Sequence, residues 1–173
     1  MKYNIFATPI LIDQIDLSQI KLDSSEYKAT FPSQVSTSFY GKNILSPSSS
    51  AYLLNKIAKN LNEVILHPYE LHLKFIWRNN YTKDSFQEKH IHAKNHFSFI
   101  IYEKIDKGHT VFSHPVSYLL ESMYDDKGTI FPVVHQPQCK TGDLLIFPSY
   151  LEHYVEPCSN GTTISGNLGV TFK

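Results

Sequence analysis

The sequence predicts a mainly β fold, a sandwich or barrel of the double-sheet jelly-roll kind, carrying an N-terminal helix. Three observations predict it. From residue 71 onward, short apolar stretches recur, each bounded by a turn signal. Aromatic residues make up 13% of the chain, with 11 Tyr and 11 Phe, a composition that suits pleated, half-buried surfaces. One stretch alone has the three- and four-residue apolar spacing of an amphipathic helix. At 173 residues the chain is long enough for a real core and matches one domain spanning 1–173.

The elements follow in order. Tyr3–Phe6 and Ile10–Ile12 are short apolar pieces separated by Thr8-Pro9, an extended start that reads as a strand at a sheet edge. Such an edge is a surface on which a homodimer could form. Asp23 to Leu45 is rich in Ser, Thr and Lys, with Pro32 and Gly41 as breakers, and predicts a loop or flap without regular elements. Ser46-Pro47 supplies helix-start chemistry. Leu53, Leu54, Ile57, Leu61, Val64 and Ile65 then predict a helix over Ser49 to Ile65, ended by His67-Pro68. Leu71 to Trp77 alternates as a strand. Further strands are predicted at Phe97–Tyr102, Thr110–Phe112, Leu144–Phe147, Tyr154-Val155 and Thr162–Phe172. Ser117–Tyr124 fits a short helix or a strand equally.

Charge and composition exclude several function classes. Sixteen basic residues balance sixteen acidic ones, so the chain lacks the basic excess of a nucleic-acid module or a polybasic membrane anchor. No apolar run reaches the length of a membrane span. Residues 1–6 have no signal-peptide pattern, which predicts a cytoplasmic protein with Cys139 and Cys158 reduced. Arg78 is the only arginine, so any guanidinium clamp on a carboxylate must use it.

Histidine carries the chemical signal. Of nine, His90 and His92 are two apart, and on a strand they would share a face. Two imidazoles on one face can hold a metal ion, with a third ligand from a distant strand. His153 follows a turn, a buried strand and a proline bend (residues 142–157), a position at a sheet rim that can face a pocket. His96 has the parity of Ser98 and Tyr102 and is a weaker pocket candidate. The remaining histidines read as structural.

These residues carry a resemblance. Residues 142–157, Gly-Asp-Leu-Leu-Ile-Phe-Pro-Ser-Tyr-Leu-Glu-His-Tyr-Val-Glu-Pro, resemble a motif of the 2-oxoglutarate/Fe(II)-dependent oxygenase superfamily. The chain is most similar to a small branch, common in phages and marine bacteria, that resembles prolyl 4-hydroxylases. Phe6-Ala7-Thr8-Pro9-Ile10, Phe75-Ile76-Trp77-Arg78-Asn79, His90-Ile91-His92 with Ser98 to Tyr102, and Gly161 to Asn167 are similar to further motifs of that branch. The resemblance implies a double-stranded β-helix with Fe(II) at its open end, 2-oxoglutarate as cosubstrate, and His90 and His153 as iron ligands. Where the family has a carboxylate two residues after the first histidine, this chain has His92; Asp84 and Glu88 are the nearby carboxylates, and Glu88 shares the parity of His90. Where the family has an arginine for the cosubstrate's distal carboxylate, this chain has Gly161, leaving Arg78 or Lys74 for that task. Thr163, Ser165 and Asn167 share the parity of position 161 and could line the same pocket, and Tyr102 could hydrogen-bond the cosubstrate. The implied activity is hydroxylation of a small molecule or protein side chain. Two alternatives are a three-His, cupin-like dioxygenase that does not use 2-oxoglutarate, and a non-catalytic, phage-associated jelly-roll module for binding or structure.

Overall fold

The structure is a computed structural model that describes residues 7–106, 110–122, 132–157 and 160–173. Its elements are β1 (Leu11–Gln14), a 3-10 turn (Leu17–Gln19), β2 (Leu22–Ser24), β3 (Lys28–Ala29), β4 (Ser36–Thr37), β5 (Asn43–Leu45) and α1 (Pro47–Leu61). There follow β6 (Tyr69–Tyr81), β7 (Gln87–His90), β8 (Phe97–Ile105), β9 (Thr110–Ser113), α2 (Ser117–Ser122), β10 (Val134–His135), β11 (Asp143–Pro148), β12 (His153–Val155) and β13 (Gly161–Phe172). Among the described residues no helix is long and apolar enough to cross a membrane.

Two antiparallel sheets make the jelly roll. The major sheet has the order β1-β11-β8-β13-β6-β4-β3, and the minor sheet has the order β10-β9-β12-β7. The chain passes from major to minor sheet at β6–β7, β8–β9 and β11–β12, so residues at these crossings sit at the rims. β2 and β5 pair as a separate ribbon.

Alternation along the major strands builds two cores. Phe99, Ile101, Leu144, Ile146 and Ile164 point to one face and pack against Leu53, Ile57 and Leu61 of α1. Ile100, Tyr102, Leu145 and Phe147 point to the other and meet Phe112 of the minor sheet. Because both faces are covered, β11 is buried at all six positions, which is why it reads as a continuous apolar run.

The helix begins earlier than its apolar period suggests. Ser46 is its N-cap, accepting from the Ser49 N–H at 3.2 Å, and Pro47 takes the first turn, where no amide is needed. It also ends earlier, at Leu61. Val64 and Ile65 still pack on the core, but their amides both turn back to the Leu61 carbonyl. Periodicity reported their packing, not their hydrogen bonding.

Two further differences have tertiary causes. β6 continues four residues past Trp77 through Arg78-Asn79-Asn80-Tyr81, a run of low strand propensity, because β13 pairs with it along its whole length. The segment expected to be a loop at 23–45 carries β3, β4 and β5, of which β4 is hydrogen-bonded to β6 at Asn79 and Asn80. The predicted edge strand at Ile10–Ile12 is realised as β1, at the margin of the major sheet. Tyr3–Phe6, His109 and Cys158 lie outside the described residues, as does the end of the Ser117–Tyr124 segment, whose described part is the helix α2.

Candidate metal centre

β7 and β12 are neighbours in the minor sheet, with His90 and His153 directly opposite each other. Their ring centroids are 4.2 Å apart. His92 joins them from outside the strand. β7 ends at His90, and the His92 N–H donates to the Ser149 carbonyl at 2.9 Å, drawing the chain back toward the bend before β12. The convergence is therefore made by a turn, not by the shared strand face that the two-residue spacing predicts. One ligand atom from each of the three imidazoles lies within 4.8 Å of the others. His92 Nε2 and His153 Nε2 are 3.3 Å apart.

The tautomers of two rings follow from their partners. His90 Nδ1 is 2.7 Å from the Glu88 carbonyl and His153 Nδ1 is 2.9 Å from the Leu151 carbonyl. A carbonyl only accepts, so both Nδ1 atoms carry the proton and both Nε2 atoms present lone pairs. Phe147 packs edge-on against His153 at 4.8 Å and Phe112 lies behind it at 5.9 Å, forming an apolar back wall. Burial, and next the neighbouring His90, push the pKa of His153 down to about 3 and that of His92 down to about 4. Both rings are thus held neutral, the form that binds metal.

The expected third-ligand candidates separate. His92 is in the group, whereas the exposed Glu88 contributes its backbone carbonyl to His90 and keeps its carboxylate outside the trio. Asp84 is exposed and also outside it.

Behind the histidines is a cavity of about 20 Å³, room for one water. Thr163 and Ser165 line it, opposite Asn79 and Trp77 in the β6–β13 register. Tyr102 stands deeper, fully buried, its hydroxyl 2.8 Å from Thr110 Oγ1. Asn167 is on the same face and accepts from Ser98 Oγ at 2.9 Å, beside the outer groove. That groove, about 560 Å³, opens over the imidazoles and is walled by Phe31, Phe39, Tyr40, Phe75 and Ile91.

The two cations proposed for carboxylate binding are elsewhere. Arg78 points to the helix side of the major sheet, because its neighbours Trp77 and Asn79 take the inner face. There it forms a bidentate pair with Glu103 (Nε to Oε2 2.7 Å, Nη2 to Oε1 2.9 Å) and donates to the Leu22 carbonyl. Lys74 is exposed and donates to the Lys94 carbonyl at 2.9 Å, outside both the cavity and the groove. His96 is also not a pocket residue: its Nδ1 accepts from the Val170 N–H, and its backbone bonds to Leu168 and Ser149. Asn79, Tyr81, Gln87 and Thr110 line the cavity without any sequence signal of their own. The alternation Trp77-Asn79-Tyr81 would have revealed the first two, once β6 was known to extend that far.

Comparison with known proteins agrees with this geometry. A family model described as "Putative 2OG-Fe(II) oxygenase" matches residues 75–165, just over half of the chain and all three histidines. No curated protein matches at the sequence level. Among solved structures, an oxidoreductase of the 2OG-Fe(II) oxygenase family from Burkholderia pseudomallei is similar at 16% identity and a TM-score of 0.52, over 92% of this chain and 68% of that one. HygX from Streptomyces hygroscopicus, solved with nickel, 2-oxoglutarate and hygromycin B, is similar at 12% identity and a TM-score of 0.55, over 94% of this chain and 82% of that one. At these identities the structural likeness establishes the fold, and the family match establishes the membership: this chain belongs to the 2OG-Fe(II) oxygenase family.

Proposed function

We propose that this chain is an Fe(II)- and 2-oxoglutarate-dependent oxygenase in which His90, His92 and His153 hold the metal. The convergence of three imidazoles beneath an open groove carries the reading. The donor set fits a divalent first-row metal, since imidazole suits iron and three protein ligands leave coordination positions open. When bound, iron and the oxo acid supply the oxygen activation needed to break a C–H bond.

The chain's own residues do the remaining work. The Glu88 and Leu151 carbonyls aim two imidazoles, and Phe112 and Phe147 keep water from the back of His153. Thr163 and Ser165 offer neutral hydrogen bonds at the inner cavity, which has to open beyond the volume of one water to admit the acid; among the described residues no lysine or arginine lines it. The outer groove, with its aromatic wall, suits an apolar portion of a small molecule or a protein side chain. The balanced charge of the chain disfavours a nucleic-acid substrate.

The test is an anaerobic titration of metal-free protein with Fe(II), followed by 2-oxoglutarate, reading the visible iron-to-oxo-acid charge-transfer band. One equivalent of iron and a saturable band are expected, and His153→Ala should lose the iron. Iron without a band would move the assignment to a three-His oxygenase that does not take the oxo acid. No iron at all would leave a non-catalytic binding module.

A further inference from the structure

The three imidazoles are not held in the same way. His90 and His153 each have Nδ1 fixed by a backbone carbonyl. His92 has no such support: among the described residues its Nδ1 has no hydrogen-bond partner, and its Nε2 has only His153. A ligand imidazole almost always has its second nitrogen tied down, because that bond sets the ring's direction. The protein contact that the His92 ring has in place of a carbonyl is a packed one.

The indole of Trp77 lies against the ring. The two planes are 25° apart with centroids at 5.7 Å, an offset stack. Trp77 itself is only 5% exposed and lines both the cavity and the groove. Phe39 packs edge-on against the indole at 5.0 Å and 89° from the groove side. The segment bearing Phe39 is pinned beside Trp77, because Ser38 N–H donates to the Arg78 carbonyl and Ser38 Oγ accepts from the Arg78 N–H. A continuous chain of ring contacts thus runs from the groove wall to the third imidazole.

We propose that Trp77 is the positioning residue of the third metal ligand: it aims His92 by ring stacking, where the other two ligands are aimed by hydrogen bonds, and Phe39 holds the indole in place. The proposal rests on the three-histidine reading of the site. It has a functional consequence. A substrate that enters the groove touches Phe39 and Trp77, and so bears on the orientation of His92 before reaching the metal.

The test uses Co(II), whose affinity and visible d–d bands report the ligand set without turnover. Trp77→Leu should weaken Co(II) binding by about tenfold or more, the range seen when a ligand's support is removed. Its bands should approach those of His92→Ala. Trp77→Phe keeps a ring on the imidazole and should restore the wild-type bands. The double variant Trp77→Leu/His92→Ala should bind no more weakly than His92→Ala alone, since a residue acting through His92 has nothing left to position. Additive losses, or wild-type affinity and bands in folded Trp77→Leu, would overturn the proposal. Should Trp77→Leu not fold, the half-exposed Phe39→Leu carries the same cycle: a band shift that disappears in the His92→Ala background supports the proposal, and unchanged bands overturn it. Failure of the wild-type protein to bind Co(II) is a separate outcome that would remove the three-histidine reading itself.

Discussion

Replacing Arg78 separates a structural arginine from a cosubstrate-binding one. In Arg78→Met the guanidinium is lost while the aliphatic stem is retained. Glu103 then keeps a carboxylate with neither of its two hydrogen bonds, and the Leu22 carbonyl loses a donor. Removing one partner of a fully buried pair costs about 3–5 kcal/mol. The Arg78 and Glu103 side chains are 21% and 23% exposed, so solvent recovers part of this and about 2–3 kcal/mol remains. For a chain of this size that corresponds to a fall in Tm of roughly 5–10 °C. The assay pairs thermal unfolding with Fe(II) and 2-oxoglutarate titrations on the same sample. Stability should fall while both binding constants stay at wild-type values. Adding Glu103→Leu should recover much of the loss, because the orphaned charge is gone. An unchanged Tm together with a lost 2-oxoglutarate band would refute the reasoning and bring Arg78 back into the site.

Three further outcomes follow from the same geometry. Metal-free protein should lose stability as pH falls below about 6.5 and continue losing it toward pH 4, since the unfolded chain binds protons that folded His92 and His153 refuse; at pH 5 this is on the order of 2 kcal/mol per imidazole. Urea midpoints at pH 7 and 5 measure it, and His153→Leu should show a shallower fall than wild type. Gly166→Ala would set a Cβ 2.7 Å from the Phe75 carbonyl oxygen and against the Phe99 ring, in a strand paired on both sides, and should cost about 1–3 kcal/mol in chemical denaturation. Ser46→Ala removes the cap of α1 and should cost about 1 kcal/mol, read as a Tm lower by roughly 2–4 °C with metal affinity unaltered.

Local chemistry made much of this protein legible in its sequence. The three- and four-residue period in α1 and the alternation in β8 and β13 report which side chains share a face, because pleat and helix geometry are properties of the chain itself. The shared parity of Thr163, Ser165 and Asn167 survives in the structure for the same reason. In β6 the alternation predicted over Leu71 to Trp77 slips at a bulge at Lys74, so Leu71 and Leu73 pack on the helix-side core while Phe75 and Trp77 face the groove. The motif at residues 142–157 located His153, and His90 and His92 were visible as a pair.

What periodicity does not report is which face is inner, and this depends on the partner strand. Trp77 and Arg78 are neighbours in sequence, yet one lines the cavity and the other pairs with Glu103 beneath the sheet, because pairing with β13 puts Ser165 beside the first and Ile164 beside the second. Lys74 was removed from the site in the same way, by a carbonyl twenty residues away. The third imidazole also needed tertiary structure. His92 reaches the other two only because the Ser149 carbonyl turns the chain back and Trp77 receives the ring. The sequence alone determined the chemistry available, the elements that carry it and the family to which it is similar. The folded sheets decided which of those groups meet, because strand pairing and burial are set by contacts between residues far apart in the chain.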